Sequence, residues 1–237
     1  MRGAFRFVTT VTGLFLIGLA VVGLLLMGPF SHFVAGLVAR DLTNVYGAQV
    51  TLADMKLRPF QQRIELQGLT INNPESFRTG PAVVVERVDI DLNTPAFLSG
   101  APAAKRVLFA GMTVHLRHEG AQGTNLGKLV ANARAYAAEL REQAPSDTEP
   151  RGMRVEILQV EDTILRLSSD VVQAIELSRQ IDDFEVDNIA ERGALVRGEI
   201  GQMMLQAVLL EATGISGISG TLSRILRGEA AESTPGG

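Results

Sequence analysis

Residues 7–27, FVTTVTGLFLIGLAVVGLLLM, form a run of 21 residues without a single charge. Coiled as a helix, such a run is about 31 Å long, the thickness of a bilayer's hydrocarbon core. Phe7, Leu14, Phe15, Leu16, Ile17, Leu19, Leu24, Leu25 and Leu26 supply most of the transfer energy, a few tenths of a kcal/mol each. Arg2 and Arg6 precede the run, and no Lys or Arg follows until Arg40. By the positive-inside bias this predicts a single-pass anchor in a lipid bilayer, with the N-terminus in the cytoplasm and the rest of the chain across the membrane. A cleaved signal peptide is the alternative. It would share the basic start, but its apolar core is usually only about 7–15 residues long and ends near an A-x-A site, which is lacking here. The glycines at 13, 18 and 23 are five apart and do not line one helix face.

The rest of the composition excludes several functions. A formal net charge of −4 and the lack of any Lys/Arg cluster argue against a nucleic-acid partner. Without cysteine there is no thiolate metal site, disulfide or Cys nucleophile. Without Trp, and with aromatics at 5 %, stacking platforms for bases or sugars are poorly supplied.

The chain divides by pattern. Residues 1–29 are the cytoplasmic start and anchor. In 30–46, Phe30, Phe33, Val34, Leu37, Val38, Leu42 and Val45 recur at helical spacing and Gly47 is a natural stop, so an amphipathic juxtamembrane helix is expected. Phe30, Phe33, Val34 and Leu37 form its candidate membrane-facing side; packing on the chain's own domain is the other reading, favoured by the scarcity of Lys/Arg. Residues 47–142 read as a β-meander plus a helix. Val50, Leu52, Met55 and Leu57 alternate with a slip near Ala53–Asp54. Ile64, Leu66, Leu69 and Ile71 slip at Gln67–Gly68, as a bulge would cause. In 82–92, Val84, Val88, Ile90 and Leu92 share one face by simple alternation, with Glu86 interrupting it. A fourth strand carries Val107, Phe109, Val114 and Leu116, interrupted at Gly111. Leu126, Leu129, Val130, Ala133, Tyr136, Ala137 and Leu140 make the stripe of a helix capped by Thr124 or Asn125. The linker is 143–152 (QAPSDTEPRG). A second β/α part covers 153–227: two strands over Val155–Leu167, a further one at Ile175–Leu177, alternation in 183–187, a helix over 195–213 and a short helix around Leu222–Leu226. The tail, 228–237, has the composition of a disordered segment.

No catalytic or cofactor constellation emerges. His115 and His118 are three apart, so in a strand they point to opposite faces and cannot share an ion. Asp182, Asp183, Glu185 and Asp187 lack calcium-loop spacing and read as a solvated strand face. Gly214–Gly220 is glycine-rich but follows a helix and has no Lys after it, unlike a phosphate loop. Ser216 and Ser219 have no G-x-S-x-G elbow. The expectation is a protein that is not an enzyme and has no catalytic residues, metal or cofactor.

The ordered pieces in 7–130 resemble the N-terminal region of the AsmA-like family of bacterial envelope proteins. They are the anchor, a short helix, Gly47-Ala48-Gln49-Val50-Thr51-Leu52, then Ile64-Glu65-Leu66-Gln67-Gly68-Leu69-Thr70-Ile71-Asn72-Asn73-Pro74-Glu75-Ser76-Phe77, and last Asn125-Leu126-Gly127-Lys128-Leu129. Ser76 stands where the family usually has Gly. The match covers about half of the chain. It implies a bacterial inner-membrane protein with its bulk in the periplasm. In long members a curved sheet carries lipid on its apolar concave face. Seven or eight strands would span only roughly 35–40 Å here, too little to bridge a periplasm. The expected fold class is α+β: a single N-terminal transmembrane helix followed by a mostly antiparallel, curved β-sheet with packing helices.

Two functions then compete. One is lipid handling or envelope maintenance, with phospholipid as partner and Val84, Val88, Ile90 and Leu92 as the candidate apolar groove. The other is a structural accessory subunit holding other membrane proteins. An uncovered apolar sheet face would favour the first, and a face covered by the chain's own helices the second.

Overall fold

A helix of 17 residues, α1 (Phe30–Tyr46), opens the described part of the chain. The computed structural model describes residues 30–93, 95–96, 103–142, 153–169, 177–187, 189, 195 and 199–214. The expected anchor, with Phe7, Leu14, Phe15, Leu16, Ile17, Leu19, Leu24, Leu25 and Leu26, lies outside them, as do the linker 143–152, the glycine-rich 215–220, the helix expected around Leu222 and the tail.

α1 ends at Gly47, whose φ is +57° and whose N–H returns to the Thr43 carbonyl. Thr43 Oγ1 then accepts the Val50 N–H at 3.0 Å, which aims the chain into the sheet. The strands are β1 (Val50–Arg58), β2 (Arg63–Asn72), β3 (Pro81–Leu92), β4 (Ala103–His118), β5 (Arg154–Ser169), β6 (Leu177–Ile181) and β7 (Phe184–Val186). Helix α2 (Asn125–Glu142) lies between β4 and β5, and α3 (Glu199–Gly214) follows β7. The sheet order is β1-β2-β3-β4-β5-β6, with β7 also on β5. β1 to β4 form an antiparallel meander, whereas β4 and β5 pair in parallel from Ala103↔Arg154 to His118↔Ser169. A parallel neighbour needs a crossover, and α2 lies in the connection that makes it. The sheet therefore runs unbroken across the segment expected to be a linker.

The expected fold class needs correction. The α+β, mostly antiparallel sheet is present, but no helix among the described residues is long and apolar enough to cross a membrane. The described stretches of α1 and α3, 17 and 16 residues, cover only about 25 Å, short of the roughly 30 Å hydrocarbon core. The 18-residue α2 carries Lys128, Arg134, Glu139, Arg141 and Glu142.

One irregularity runs through the whole sheet. On the core side, Leu52–Leu69–Val85–Met112–Thr163–Ile181 are in register across six strands. Three residues along, Met55–Leu66–Val88–Phe109–Val160–Phe184 are again in register on the same side. Residues three apart in a regular strand face opposite ways. Each strand therefore carries one extra outward residue at the same level. At that level Ala53, Gly68, Glu86, Gly111 and Asp162 are absent from every ladder. Gly68, Gly111 and Asp162 have φ of +63°, +65° and +52°. They sit on β2, β4 and β5, the three strands that run in one direction. A Cβ on Gly111 would lie 2.7 Å from Glu86 Oε2, so glycine serves both the backbone and the side chain crossing it. Because all strands share the insertion, the register survives while each strand bends, as at a bulge.

The core lies between this face and the helices. Val83, Val85, Val114 and Leu165 are fully buried under Leu126, Leu129 and Ala133 of α2 and Met204, Leu205 and Val208 of α3. Tyr46, at the end of α1, sets its hydroxyl end against Gly201 of α3, and burial pushes its phenol up to about 12.

Candidate functional site

The shared insertion decides which candidate residues come together. Val88, Ile90 and Leu92 lie on the core side, but Val84 does not. It sits between the buried Val83 and Val85, in the outward row Thr51–Thr70–Val84–Thr113–Ile164. The extra residue at Glu86–Arg87, both exposed, reverses the phase. Glu86 is thus on the outer face and does not interrupt the apolar one.

The core-side face is not evenly covered. Helices pack chiefly against β1 (α1), β4 (α2) and β5–β6 (α3). Near β4 and β5, Val107, Phe109, Leu158 and Val160 are buried. Toward the free edge the same two rows continue through Val88, Leu66 and Met55, and through Ile90, Ile64 and Leu57. Val88 is buried, while Ile90, Ile64, Leu66, Met55, Leu57 and Leu92 are half-buried. Six aliphatic side chains on three adjacent strands thus form a patch about 10 Å wide by strand spacing. At its end the β1–β2 turn presents Phe60, 97 % exposed. Met55, Leu57, Ile64 and Leu66 were visible in the sequence as strand residues. Their membership of the patch was not, because it depends on which rows the helices leave uncovered.

The opposite face is polar. Asp91 accepts from Arg63 Nε at 2.6 Å and from Arg106 Nη2 at 2.7 Å. Burial raises its carboxyl, but the two guanidinium bonds prevail and hold it below the ordinary 3.8. Arg58 bonds Glu65, Gln67 bonds Glu65, and Arg106 Nη1 reaches Gln159 at 3.1 Å. This ladder of saturated ion pairs solvates one side and leaves the apolar side as the only greasy surface of β1–β3 among the described residues.

The two motif pieces that carry the family resemblance meet. Asn125 is fully buried at the start of α2. Its Nδ2 donates to Asn73 Oδ1 at 2.7 Å and to the His115 carbonyl at 2.8 Å. Its Oδ1 accepts from the Arg117 and Leu126 N–H groups at 2.9 and 2.8 Å. β3 starts at Pro81, so β4 has no strand partner beyond it on that side; the Asn125 amide takes over the ladder there. Asn73 Nδ2 in turn donates to the Arg78 carbonyl, closing the β2–β3 turn over the buried Phe77. These residues hold the fold.

The remaining candidates fall apart. In α1, Phe33 and Leu37 are 61 % and 49 % exposed, Val34 is half-buried, and the side chain of Phe30 lies outside the described residues. The helix buries Ala35 and Ala39 instead, because small side chains let it lie close on β1. His115 is half-buried and its imidazole is held below the ordinary 6.5, first by burial and then by Arg166 and Arg117. Asp182, Asp183, Glu185 and Asp187 are exposed, and among the described residues no group of His, Asp or Glu could hold a metal. A cavity of about 760 Å³ lies between the end of α1 and the β2–β3 turn, lined by Asn44, Gln49, Asn72 and Thr79. A second, of about 470 Å³, opens on the outer face between Glu86 and Asp162. Neither cavity assembles a nucleophile, a base and oxyanion donors.

No protein-family model matches the chain. No curated protein matches it significantly.

Proposed function

We propose that this protein is a non-catalytic, membrane-associated protein of the bacterial envelope that handles lipid, holding an acyl chain against the half-covered face of β1–β3. The observation that carries this reading is the patch of Met55, Leu57, Ile64, Leu66, Ile90 and Leu92, all half-buried on a face whose other half is sealed by helices. A lipid tail gains about 0.8 kcal/mol for each methylene it buries there. The uncharged sequence at 7–27 supports a membrane setting, with the sheet on the periplasmic side. The meeting of Asn73 with Asn125 supports the AsmA-like resemblance, since two of its separate pieces serve one joint.

Lipid extraction and native mass spectrometry of the detergent-purified full chain test the reading. Phospholipid is expected to co-purify, and Leu66→Glu/Ile90→Glu is expected to lose most of it while retaining helix and strand signals in circular dichroism. Wild-type protein free of phospholipid would overturn the proposal.

A second reading rests on Phe60. An aromatic ring 97 % exposed beside an aliphatic patch also suits a protein interface, where such rings are anchors. In that case the chain is an accessory subunit of a membrane complex. Affinity purification in mild detergent should return a stoichiometric partner that Phe60→Ala releases; a chain that elutes alone would exclude it.

A further inference from the structure

The outer face carries a second feature, independent of the apolar patch. β4 and β5 are parallel here, so His115 lies directly beside Arg166, and Arg117 beside Ser168. Val114, Leu116, Leu165 and Leu167 all point into the core. His115, Arg117 and Arg166 therefore project together from the other side. Adjacent strands are about 4.8 Å apart and alternate residues about 7 Å apart, which brings the three side chains around one point. The side chain of Arg166 is exposed and forms no ion pair among the described residues. Arg117 has only Glu119, at 3.8 Å, and that carboxylate also accepts the Arg78 N–H at 3.0 Å. His118, at the strand end, has the opposite parity and faces away. Elsewhere on this face each described Arg of β2–β4 has a carboxylate within 4 Å. Arg166 on β5 forms no such pair among the described residues, and it shares this corner with the guanidinium of Arg117 and the imidazole of His115.

We infer that His115, Arg117 and Arg166 form a binding site for a phosphate group, presented by a soluble phosphate ester or by the head group of an anionic phospholipid. Two planar forks on neighbouring strands can each give two parallel N–H bonds, which a tetrahedral phosphate accepts on different oxygens. The imidazole supplies one further donor at the rim. Unlike the acyl-chain reading, this site depends on the opposite face and on charge. Failure of either leaves the other standing.

The chain contains only three histidines, so His115 is a usable reporter. Burial first, and then the two arginines, hold its imidazole below the ordinary range, so an anion that neutralises them is read in its NMR titration. Adding inorganic phosphate, against chloride at equal ionic strength, is expected to move the midpoint upward in the full-length protein. In Arg117→Gln/Arg166→Gln the midpoint should begin higher and no longer respond. Co-sedimentation with vesicles of phosphatidylglycerol in phosphatidylcholine, against phosphatidylcholine alone, identifies the source. For a head-group site, Arg117→Gln/Arg166→Gln should bind the anionic vesicles about tenfold more weakly. Lys105→Gln/Arg134→Gln, which removes the same charge elsewhere, should be unchanged. Arg117→Lys/Arg166→Lys keeps charge and fold but not the forks, and should lose several-fold. A phosphate-driven shift without a difference between variants on vesicles assigns the site to a soluble ester. A midpoint indifferent to phosphate, or one that still responds to it in Arg117→Gln/Arg166→Gln, would refute it.

Discussion

Replacing Asn125 by Ala is the sharpest test of how this sheet is held. The amide makes four hydrogen bonds of 2.7 to 2.9 Å from a position that is fully buried. A neutral bond contributes about 1 kcal/mol net, so the four together contribute about 4 kcal/mol. Two of them satisfy backbone groups of β4 that no strand reaches, and truncation leaves those groups buried and unpaired. A water entering the space would restore part of the loss. The expected cost is therefore about 3–4 kcal/mol, a large part of a domain's total stability. Asn125→Asp should be as harmful at neutral pH. It keeps the acceptor but places a carboxylate oxygen against Asn73 Oδ1 and the His115 carbonyl. Urea unfolding followed by circular dichroism measures both, with an unchanged m-value as the sign that the unfolded state is the same. In a double-mutant cycle with Asn73→Ala the coupling should be about 1 kcal/mol, the worth of the one bond they share. A cost below about 1 kcal/mol for Asn125→Ala, or strict additivity with Asn73→Ala, would refute the assignment of this amide as the joint between turn, strand and helix.

Three further outcomes follow from the same geometry. Gly111→Ala forces a side chain onto a backbone at φ +65° and against Glu86, and should cost about 1–2 kcal/mol in urea unfolding; adding Glu86→Ala should return only the steric part. Thr163→Val should raise stability by about 1 kcal/mol, because the Thr163 hydroxyl is buried with no hydrogen-bond partner among the described residues and valine has the same shape; a lower melting temperature would contradict this. His115 is held below its ordinary 6.5 in the folded chain, so the unfolded chain takes up its proton first as the pH falls. Stability should then decline from about pH 7 downward through that window, and His115→Gln should flatten the decline in urea midpoints measured between about pH 7 and pH 5.

Much of the sheet was legible because alternation reports burial directly. The slips at Ala53–Asp54 and Gln67–Gly68, the intrusion of Glu86 and the break at Gly111 were all visible in the sequence. Read strand by strand, they were separate irregularities. Their alignment is a property of register, which no single strand contains. That is why Val84 was placed with Val88, Ile90 and Leu92: strict alternation was carried through a residue that the fold inserts. For the same reason Val155–Leu167 read as two strands. Asp162 breaks the period, although β5 runs through it as one strand of 16 residues. In α1 the helical periodicity is present: Phe33 and Leu37, on the candidate membrane-facing side, are exposed, while close packing on β1 selects the smaller Ala35 and Ala39. The parallel β4–β5 pair was also hidden, since it depends on where the crossover through α2 returns the chain.

The placement of the insertion has a consequence for the patch. On the side of the shared level nearer α1, every core residue of β3 is buried: Val83 and Val85 have no exposure at all. Beyond it, Ile90 and Leu92 are half-buried. A sheet that stayed regular would have turned Val88 and Ile90 outward among the Arg–Asp pairs and brought Arg87 and Asp89 inward. The extra residue in each strand restores the apolar side after the bend, so a single greasy face continues past the region that the helices cover. Without it the far half of β1–β3 would have no reason to carry Met55, Leu57, Ile64 and Leu66 on one side and saturated ion pairs on the other. A half-covered apolar face is costly to maintain in water. Its recurrence in the same phase on three strands is therefore the strongest physical argument that something apolar occupies it.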